Sequence, residues 1–323
     1  MVPLSVLDLA FVGPGESHRD ALVNTVAFAR RAEELGYRRV WYAEHHNFPT
    51  IASSATSVLI AHVAANTQKI RLGAGGIMLP NHSPLVIAEQ FGTLECLHPG
   101  RIDLGLGRAP GTDPTTSRAL RVHPTDSDRF PDDVLELQAF LSETSSVTGV
   151  EATPGKGTGV PLYILGSSLF GARLAARLGL PYGFASHFAP GALEQAVAIY
   201  RREFRPSAQL DKPHVIAGLN VVAAGSTAEA KEHFATVQRM RVKLLIGKNL
   251  DLTDDEAQLV LDSPAGAQIK AMATYSAVGT ASEVAAYVEK FTALSMADEL
   301  IVVHPAPTLE SRLRSLELLA SAA

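Results

Sequence analysis

One cysteine, Cys96, stands in 323 residues. A single thiol excludes an intrachain disulfide framework and makes a reducing cytoplasm the expected location. Aromatic residues are scarce at 6%, and charged residues reach only 19%. The net charge is −5 with no block of basic residues, so nucleic acid and anionic membrane surfaces are not expected partners. No apolar run approaches the roughly 18 residues of a membrane span. The amino terminus, MVPLSVLDLAFVGPGE, has neither a basic region nor a small-residue cleavage site, and no signal peptide is expected. Self-similar repeats and low-complexity tracts are missing as well. What the chain does have is 46% hydrophobic residues, enough to bury a large core.

Strand-like apolar runs alternate with segments of helical spacing. LSVLDLA is followed by Asp20 to Leu35, where Ala21, Val23, Val26, Ala27, Ala32 and Leu35 recur at helical intervals and Gly36 is the stop. The strand YRRVWYA leads to a helix in SSATSVLIAHVAANT, with Ser53 or Ser54 as its N-cap. Next come KIRLGAGGIML, a helix from Ser83 to Leu97, RIDLGLG, and a helix from Phe130 to Leu141. PLYILG, a helix from Leu169 to Leu178, LPYGFAS, a helix from Gly191 to Phe204 and the longer strand HVIAGLNVVAA follow. Thr227 to Gly247 and Asp254 to about Ser276 are helical in character; Ala281 to Leu294 is a helix, DELIVVH a strand and Thr308 to Ala320 the last helix. Eight strands, each followed by a helix, predict an α/β fold in which a parallel sheet closes into a (β/α)8 TIM barrel. The polar segment 142–159 reads as a long loop. Residues 224–279 read as an insertion before the last βα unit of a single domain spanning 1–323.

Barrel active sites lie where strands end and βα loops begin. The second strand runs apolar through Val40, Trp41, Tyr42 and Ala43 and ends in Glu44, His45 and His46. Any one of these is as often a plain hydrogen bonder at the core edge; three together on a short turn mark a site. The third strand ends in GAGGIML, whose glycines permit unusual backbone geometry or close approach of a planar ligand. The fourth ends in GLGRAPG and carries Arg108, a permanent cation. Its Gly105, Gly107 and Gly111 are spaced GxGxxxG, and Thr112-Asp113-Pro114 follow in place of a helix, so a dinucleotide fingerprint is discounted. The fifth ends in GSSLFGA, where Ser167, Ser168 and the open amides of a helix form either a phosphate cradle or a plain N-cap.

RRVWYAEHH, IRLGAGGIMLPNHSPLVIAEQFGTLECLHPGRIDLGLGRAPG, VGTASEVAAYVEKF and DELIVVHP stand in this order along the chain. Together they resemble the bacterial luciferase-like flavin monooxygenase family, from Leu4 to about Pro305 and most strongly across 37–111. The resemblance implies a barrel that uses reduced FMN supplied by a partner flavin reductase. The flavin would react with O2 to a C4a-(hydro)peroxide and insert one oxygen into a small organic substrate. It makes His45 the catalytic histidine and Glu44 its orienting partner or a structural hydrogen bonder. It puts a non-prolyl cis peptide behind the flavin at Gly75–Gly76. It puts phosphate contacts at Arg108, Arg129, Ser167, Ser168 and the Gly171 amide. Gly107 stands where luciferases carry a reactive cysteine, so thiol chemistry is not expected. A peroxyflavin has to be kept from water, and Trp41, Ile77, Met78, Phe170 and Phe188 are the apolar residues at the rim. Trp41, Met78, His187 and Phe188 are the substrate-side candidates. His45, with an ordinary pKa of about 6.5, can give or take a proton near neutral pH. His46, His82 and His304 rank below it. The resemblance also implies a homodimer, paired through helices flanking the second and third strands.

Three rival readings remain. The first is a deazaflavin-dependent hydride-transfer oxidoreductase on the same fold, separated by coenzyme spectrum and activity. The second is a metal-dependent hydrolase using EHH. It wants further ligands such as HxH after the first strand, which ends DLAFVG, and no metal is expected. The third is a noncatalytic flavin-binding protein, disfavoured by the presence of EHH and a phosphate site.

Overall fold

The structure, a computed structural model, describes every residue except 110, 124, 247–249, 251 and 323. The first half of the chain contains β1 (Leu4–Asp8), α1 (His18–Glu34), β2 (Arg39–Tyr42), α2 (Thr56–Ala64), β3 (Arg71–Met78), α3 (Pro84–Leu97), β4 (Ile102–Gly107), α4 (Pro114–Ala119) and α5 (Phe130–Leu141). The second half contains β5 (Leu162–Gly166), α6 (Leu169–Leu178), β6 (Tyr182–Phe184), α7 (Leu193–Glu203), β7 (Val215–Ala223), α8 (Thr227–Leu245), α9 (Asp254–Asp262), α10 (Gly266–Met272), β8 (Ser276–Gly279), α11 (Ala281–Ser295), β9 (Glu299–Val303) and α12 (Leu309–Ala322). Among the described residues no helix is long and apolar enough to cross a membrane.

All strand pairings are parallel. β1 through β7 pair in sequence order, β7 pairs β9 and β9 returns to β1, closing an eight-stranded TIM barrel. These eight are the strands that the alternation anticipates. Local chemistry starts and stops the helices: Ser17 and Asp20 form a capping box on α1, and Gly36, at φ +80°, lies just past its end.

Three expectations need correction. A ninth strand, β8, lies in the segment read as helical up to Ser276. It pairs with Asn220–Ala223, the upper half of β7, while β9 pairs with Ile216–Asn220. Its four residues are too few to show a strand period, and the nine-residue β7 is long because it serves two neighbours in turn. Secondly, a helix does follow GLGRAPG. Asp113 caps α4 by accepting from the Thr115 and Thr116 amides at 3.0 Å, and Pro114 occupies the first turn. Gly105 and Gly107 nevertheless lie inside β4, not in a turn. Thirdly, neither Ser53 nor Ser54 caps α2, whose N-cap is Ala55. The end of the helix expected to reach Gly247 lies outside the described residues.

The strands divide their side chains between two cores, with β1, β2, β5, β7 and β9 supplying both. Val6, Val40, Leu72, Leu104 and Ile164 face outward into the large layer shared with the helices. Leu7, Trp41, Ala43, Tyr163, Ile216, Ile301 and Val303 fill the barrel interior. The amino-terminal end of that interior is closed by ions. Arg39 donates to Asp103 and to the Tyr163 hydroxyl at 2.7 Å each and to Glu299 at 3.1 Å, and Ser5 donates to Glu299 at 2.5 Å. Trp41 adds its indole N–H to Asp103 at 3.1 Å. All five polar partners sit near strand starts, so the plug belongs to the face away from the βα loops.

Arg39→Met tests the plug. It leaves Asp103 and Glu299 buried without their shared cation, and a loss of about 3–5 kcal/mol in urea unfolding is expected.

Candidate active site

The mouth is built on bare backbone. β3 presents Gly73 and Gly75 to the interior, and the Gly75–Gly76 peptide is cis. The register between β3 and β4 shifts there, between Ala74 and Ile77. A Cβ on Gly75 would lie 2.9 Å from Leu7 Cδ1 and Trp41 Cβ, and one on Gly76 would lie 2.6 Å from the Gly105 carbonyl. One on Gly107 would meet the Met78 sulfur at 2.8 Å. Side chains are excluded by packing from below, and what remains above is a surface that a planar group can approach. Trp41, read as a substrate-side residue, lies beneath this surface: it is 1% exposed, bonded to Asp103 and edge-on to Tyr163 at 4.9 Å. The two-residue period of β2 turns it into the barrel, where it supports the glycine step from below and does not line the mouth.

The turn after β2 is fastened by Glu44. Its carboxylate is 1% exposed and accepts from the Met78 amide at 2.9 Å, from Asn81 Nδ2 at 3.0 Å, from His46 Nε2 at 2.8 Å and from His82 Nε2 at 2.9 Å. An ionised carboxylate only accepts, so both imidazoles present their Nε2–H to it. Burial by itself would raise the Glu44 pKa; the hydrogen bonds from His46 and His82 outweigh it and hold the carboxyl at about 2. The Glu44 amide donates to the Gly76 carbonyl at 3.1 Å, and Ser53 donates to the Ala43 carbonyl at 2.6 Å. Those bonds fix the backbone that leads into His45.

His45 is half-buried, and its Nδ1 is buried without a hydrogen-bond partner. Its ring meets Phe48 edge-to-face at 5.8 Å. Burial lowers its pKa below the ordinary 6.5, so the imidazole is neutral at pH 7. β2 and β6 are four places apart in the ring of eight, and His187, just past β6, approaches from the opposite side. His187 Nδ1 is also without a partner, and burial together with the charges of Arg241 and His45 brings its pKa to about 3. Asn220 Nδ2 donates to the His187 carbonyl at 2.6 Å, and a Cβ on Gly218 would lie 2.3 Å from His187 Nδ1. Sequence reasoning did not single out Gly218, Asn220 or Arg241. The glycine inside the strand HVIAGLNVVAA was the available signal, since a strand glycine marks close approach.

The other side of the mouth suits an anion. The Arg108 guanidinium is exposed and stands 4.2 Å over the Phe170 ring, in the first turn of α6. Ser168 is the N-cap of α6 and makes no side-chain capping bond, which leaves the first-turn amides open. Gly171 lies against Tyr182, whose hydroxyl donates to the Ser168 carbonyl at 3.0 Å. Arg129 is 70% exposed and pairs with Asp133 at 3.4 Å. Met78 packs over Gly107 and Gly111, and Phe188, 42% exposed, meets the His187 ring at 5.2 Å. His304 is elsewhere, bonded to Ser315 and packed edge-on to Phe28 and Tyr37 outside the barrel. Among the described residues no group of three His, Cys, Asp or Glu side chains is arranged to hold a metal ion.

A family model described as luciferase-like monooxygenase matches residues 2–298. A protein of Escherichia coli (strain K12) named luciferase-like monooxygenase is 53% identical over 248 residues, 76% of this chain and 74% of its own. An N-acetyl-S-alkylcysteine monooxygenase of Bacillus subtilis (strain 168) is 32% identical over 100% of this chain and 98% of its own. Among solved structures, apo-MsnO8 is similar with a TM-score of 0.90 at 36% identity, over 100% of this chain and 98% of its own. Two structures at 16% identity share the fold. One is the oxygenating constituent of 3,6-diketocamphane monooxygenase from Pseudomonas putida in complex with FMN (TM-score 0.73, 99% and 96% covered). The other is an F420-dependent secondary alcohol dehydrogenase (TM-score 0.71, 100% and 99% covered).

The Glu44 fastening is testable without any ligand. Glu44→Gln turns an amide donor toward groups that already donate, and a loss of about 3 kcal/mol in urea unfolding is expected.

Proposed function

The chain belongs to the luciferase-like monooxygenase family, and from that membership we propose that it is an FMN-dependent monooxygenase acting on a small organic substrate. The observation that carries the reading is the side-chain-free Gly75–Gly76 step at the barrel mouth, tied through the Glu44 amide to the turn that holds His45. It offers a side-chain-free face to an isoalloxazine ring. Arg108, the hydroxyls of Ser167 and Ser168 and the Gly171 amide hold the phosphate; a guanidinium and a helix amino terminus match a dianion. Arg129 would add a further cation there; its exposed pair with Asp133 contributes only about 0–1 kcal/mol. The FMN complex of the Pseudomonas putida relative supports this cofactor.

When bound, the reduced flavin supplies two electrons for the activation of O2, with one oxygen going to substrate and one to water. A partner reductase is its source, as in two-component enzymes of this family. His45, neutral and with Nδ1 unpartnered, takes or gives a proton at the reacting oxygen. Glu44 positions it through the backbone and through the turn that it shares with His46 and His82. His187, Phe188 and Met78 form the substrate side and exclude water.

Anaerobic titration with reduced FMN and with reduced deazaflavin, followed by admission of O2, tests the reading. FMN binding with O2-dependent turnover is expected. Binding and hydride transfer with deazaflavin alone would move the chain to the oxidoreductase branch seen in the F420-dependent fold neighbour, and FMN binding without turnover would make it a binding protein. His45→Ala should lower turnover by about 10²–10⁴-fold with the fold intact. Because burial lowers the His45 pKa, its protonated form accumulates only below the ordinary value, and the acid limb of the pH–rate profile should fall below pH 6.5. Arg108→Ala should weaken FMN about tenfold or more in fluorescence titration, as loss of a charge-assisted phosphate contact does. An unchanged dissociation constant would remove Arg108 from the site.

A further inference from the structure

The insertion helix α8 sends one cation inward and two outward. Arg239 and Lys243, one turn apart on the same face, reach Asp254 on α9 at 3.8 and 2.7 Å. Arg241 lies two residues from each, on the other face of the helix. Among the described residues it has no ion pair, and its Nη1 is buried without a hydrogen-bond partner. Its charge reaches His187, which in turn reaches His45 across the barrel mouth. α8 packs on β7 and β8, and Gly218 of β7 underlies the His187 ring.

Arg241 is half-buried, and a guanidinium nitrogen that is shut away from water without a partner is costly; native proteins keep one where something else pairs with it. Here three buried polar atoms on the substrate side lack partners: His45 Nδ1, His187 Nδ1 and Arg241 Nη1. The flavin phosphate does not supply the missing charge, because Arg108 and the open amino terminus of α6 already form a site for it beyond β4 and β5. We propose that Arg241, with His187 beside it, selects a substrate carrying a carboxylate, gripping that group while the oxidisable part of the molecule lies toward His45. This rests on the flavin monooxygenase reading for the reaction, but not for the anion site itself. A planar fork of N–H donors suits a carboxylate and rejects its uncharged amide.

Calorimetric titration of the FMN-loaded chain tests it with two acid and amide pairs: N-acetyl-S-methylcysteine against its carboxamide, and benzoate against benzamide. At least one acid should bind about tenfold or more tightly than its amide, as expected for a charge-assisted pair. Arg241→Met should abolish that preference and Arg241→Lys should keep part of it, with FMN affinity unaltered in both. The proposal is overturned by a preference that survives Arg241→Met, by no preference in either pair, or by FMN affinity lost in parallel. Repeating the titrations without flavin separates the two levels. Acid selectivity dependent on Arg241 in a chain that fails to bind FMN upholds the anion site and sinks the flavin reading alone.

Discussion

A carboxylate that cannot reach water must be surrounded by donors, and at residue 44 that requirement organises the barrel mouth. Four donors converge on Glu44 from three stretches of chain: the turn after β2, the Met78 amide at the end of β3, and the segment leading to His82. Satisfying one buried charge therefore locks two βα loops together. The backbone bond from Glu44 to the Gly76 carbonyl adds the cis step to the same assembly. His45, the next residue, inherits a fixed backbone while its ring nitrogen stays unengaged.

The two ends of the barrel interior treat polarity in opposite ways. At the amino-terminal end Arg39, Asp103, Glu299, Tyr163, Trp41 and Ser5 engage one another, and Arg39 Nε, which makes no hydrogen bond, is ion-paired with Glu299 at 2.9 Å. At the other end His45, His187 and Arg241 each retain a buried atom without a partner. Folding alone favours the first arrangement, since unsatisfied buried groups oppose stability. Departures from that rule concentrate where a protein binds something. The glycines follow the same division: Gly75, Gly76, Gly105 and Gly107 keep the upper interior free of side chains on the β3–β4 side, while Trp41 and Tyr163 fill the space below.

Much of this was legible in the residues. The eight barrel strands follow from apolar runs of period two between helical stretches, and the order of EHH, GAGG, GLGR and GSSLFG placed them at strand ends before any coordinates. Four features were not legible. β8 is too short to display a period and exists only because β7 outlasts β9 as a partner. α4 depends on an Asp113 cap that resembles an ordinary loop aspartate. Trp41 reads as a rim residue from its distance to Glu44, but strand alternation turns it inward. Arg241 sits in a segment, RMRVKLL, whose three cations look alike until the helix turns two to Asp254 and leaves the third with a buried, unpartnered Nη1.

The sequence by itself determined the succession of strands and helices, the glycines where no side chain fits, and the ionisable residues that close each strand. Those are local matters, governed by hydrophobic period, capping and steric freedom over a few residues. Tertiary structure decided which of those residues meet. His45 and His187 lie 142 positions apart and face each other only because β2 and β6 are opposite in a closed ring of eight. Glu44 finds His82 across 38 residues, and the charge of Arg241, on an inserted helix, acts on His187. Contacts of that kind depend on strand order, barrel closure and the packing of whole elements, and no local pattern encodes them.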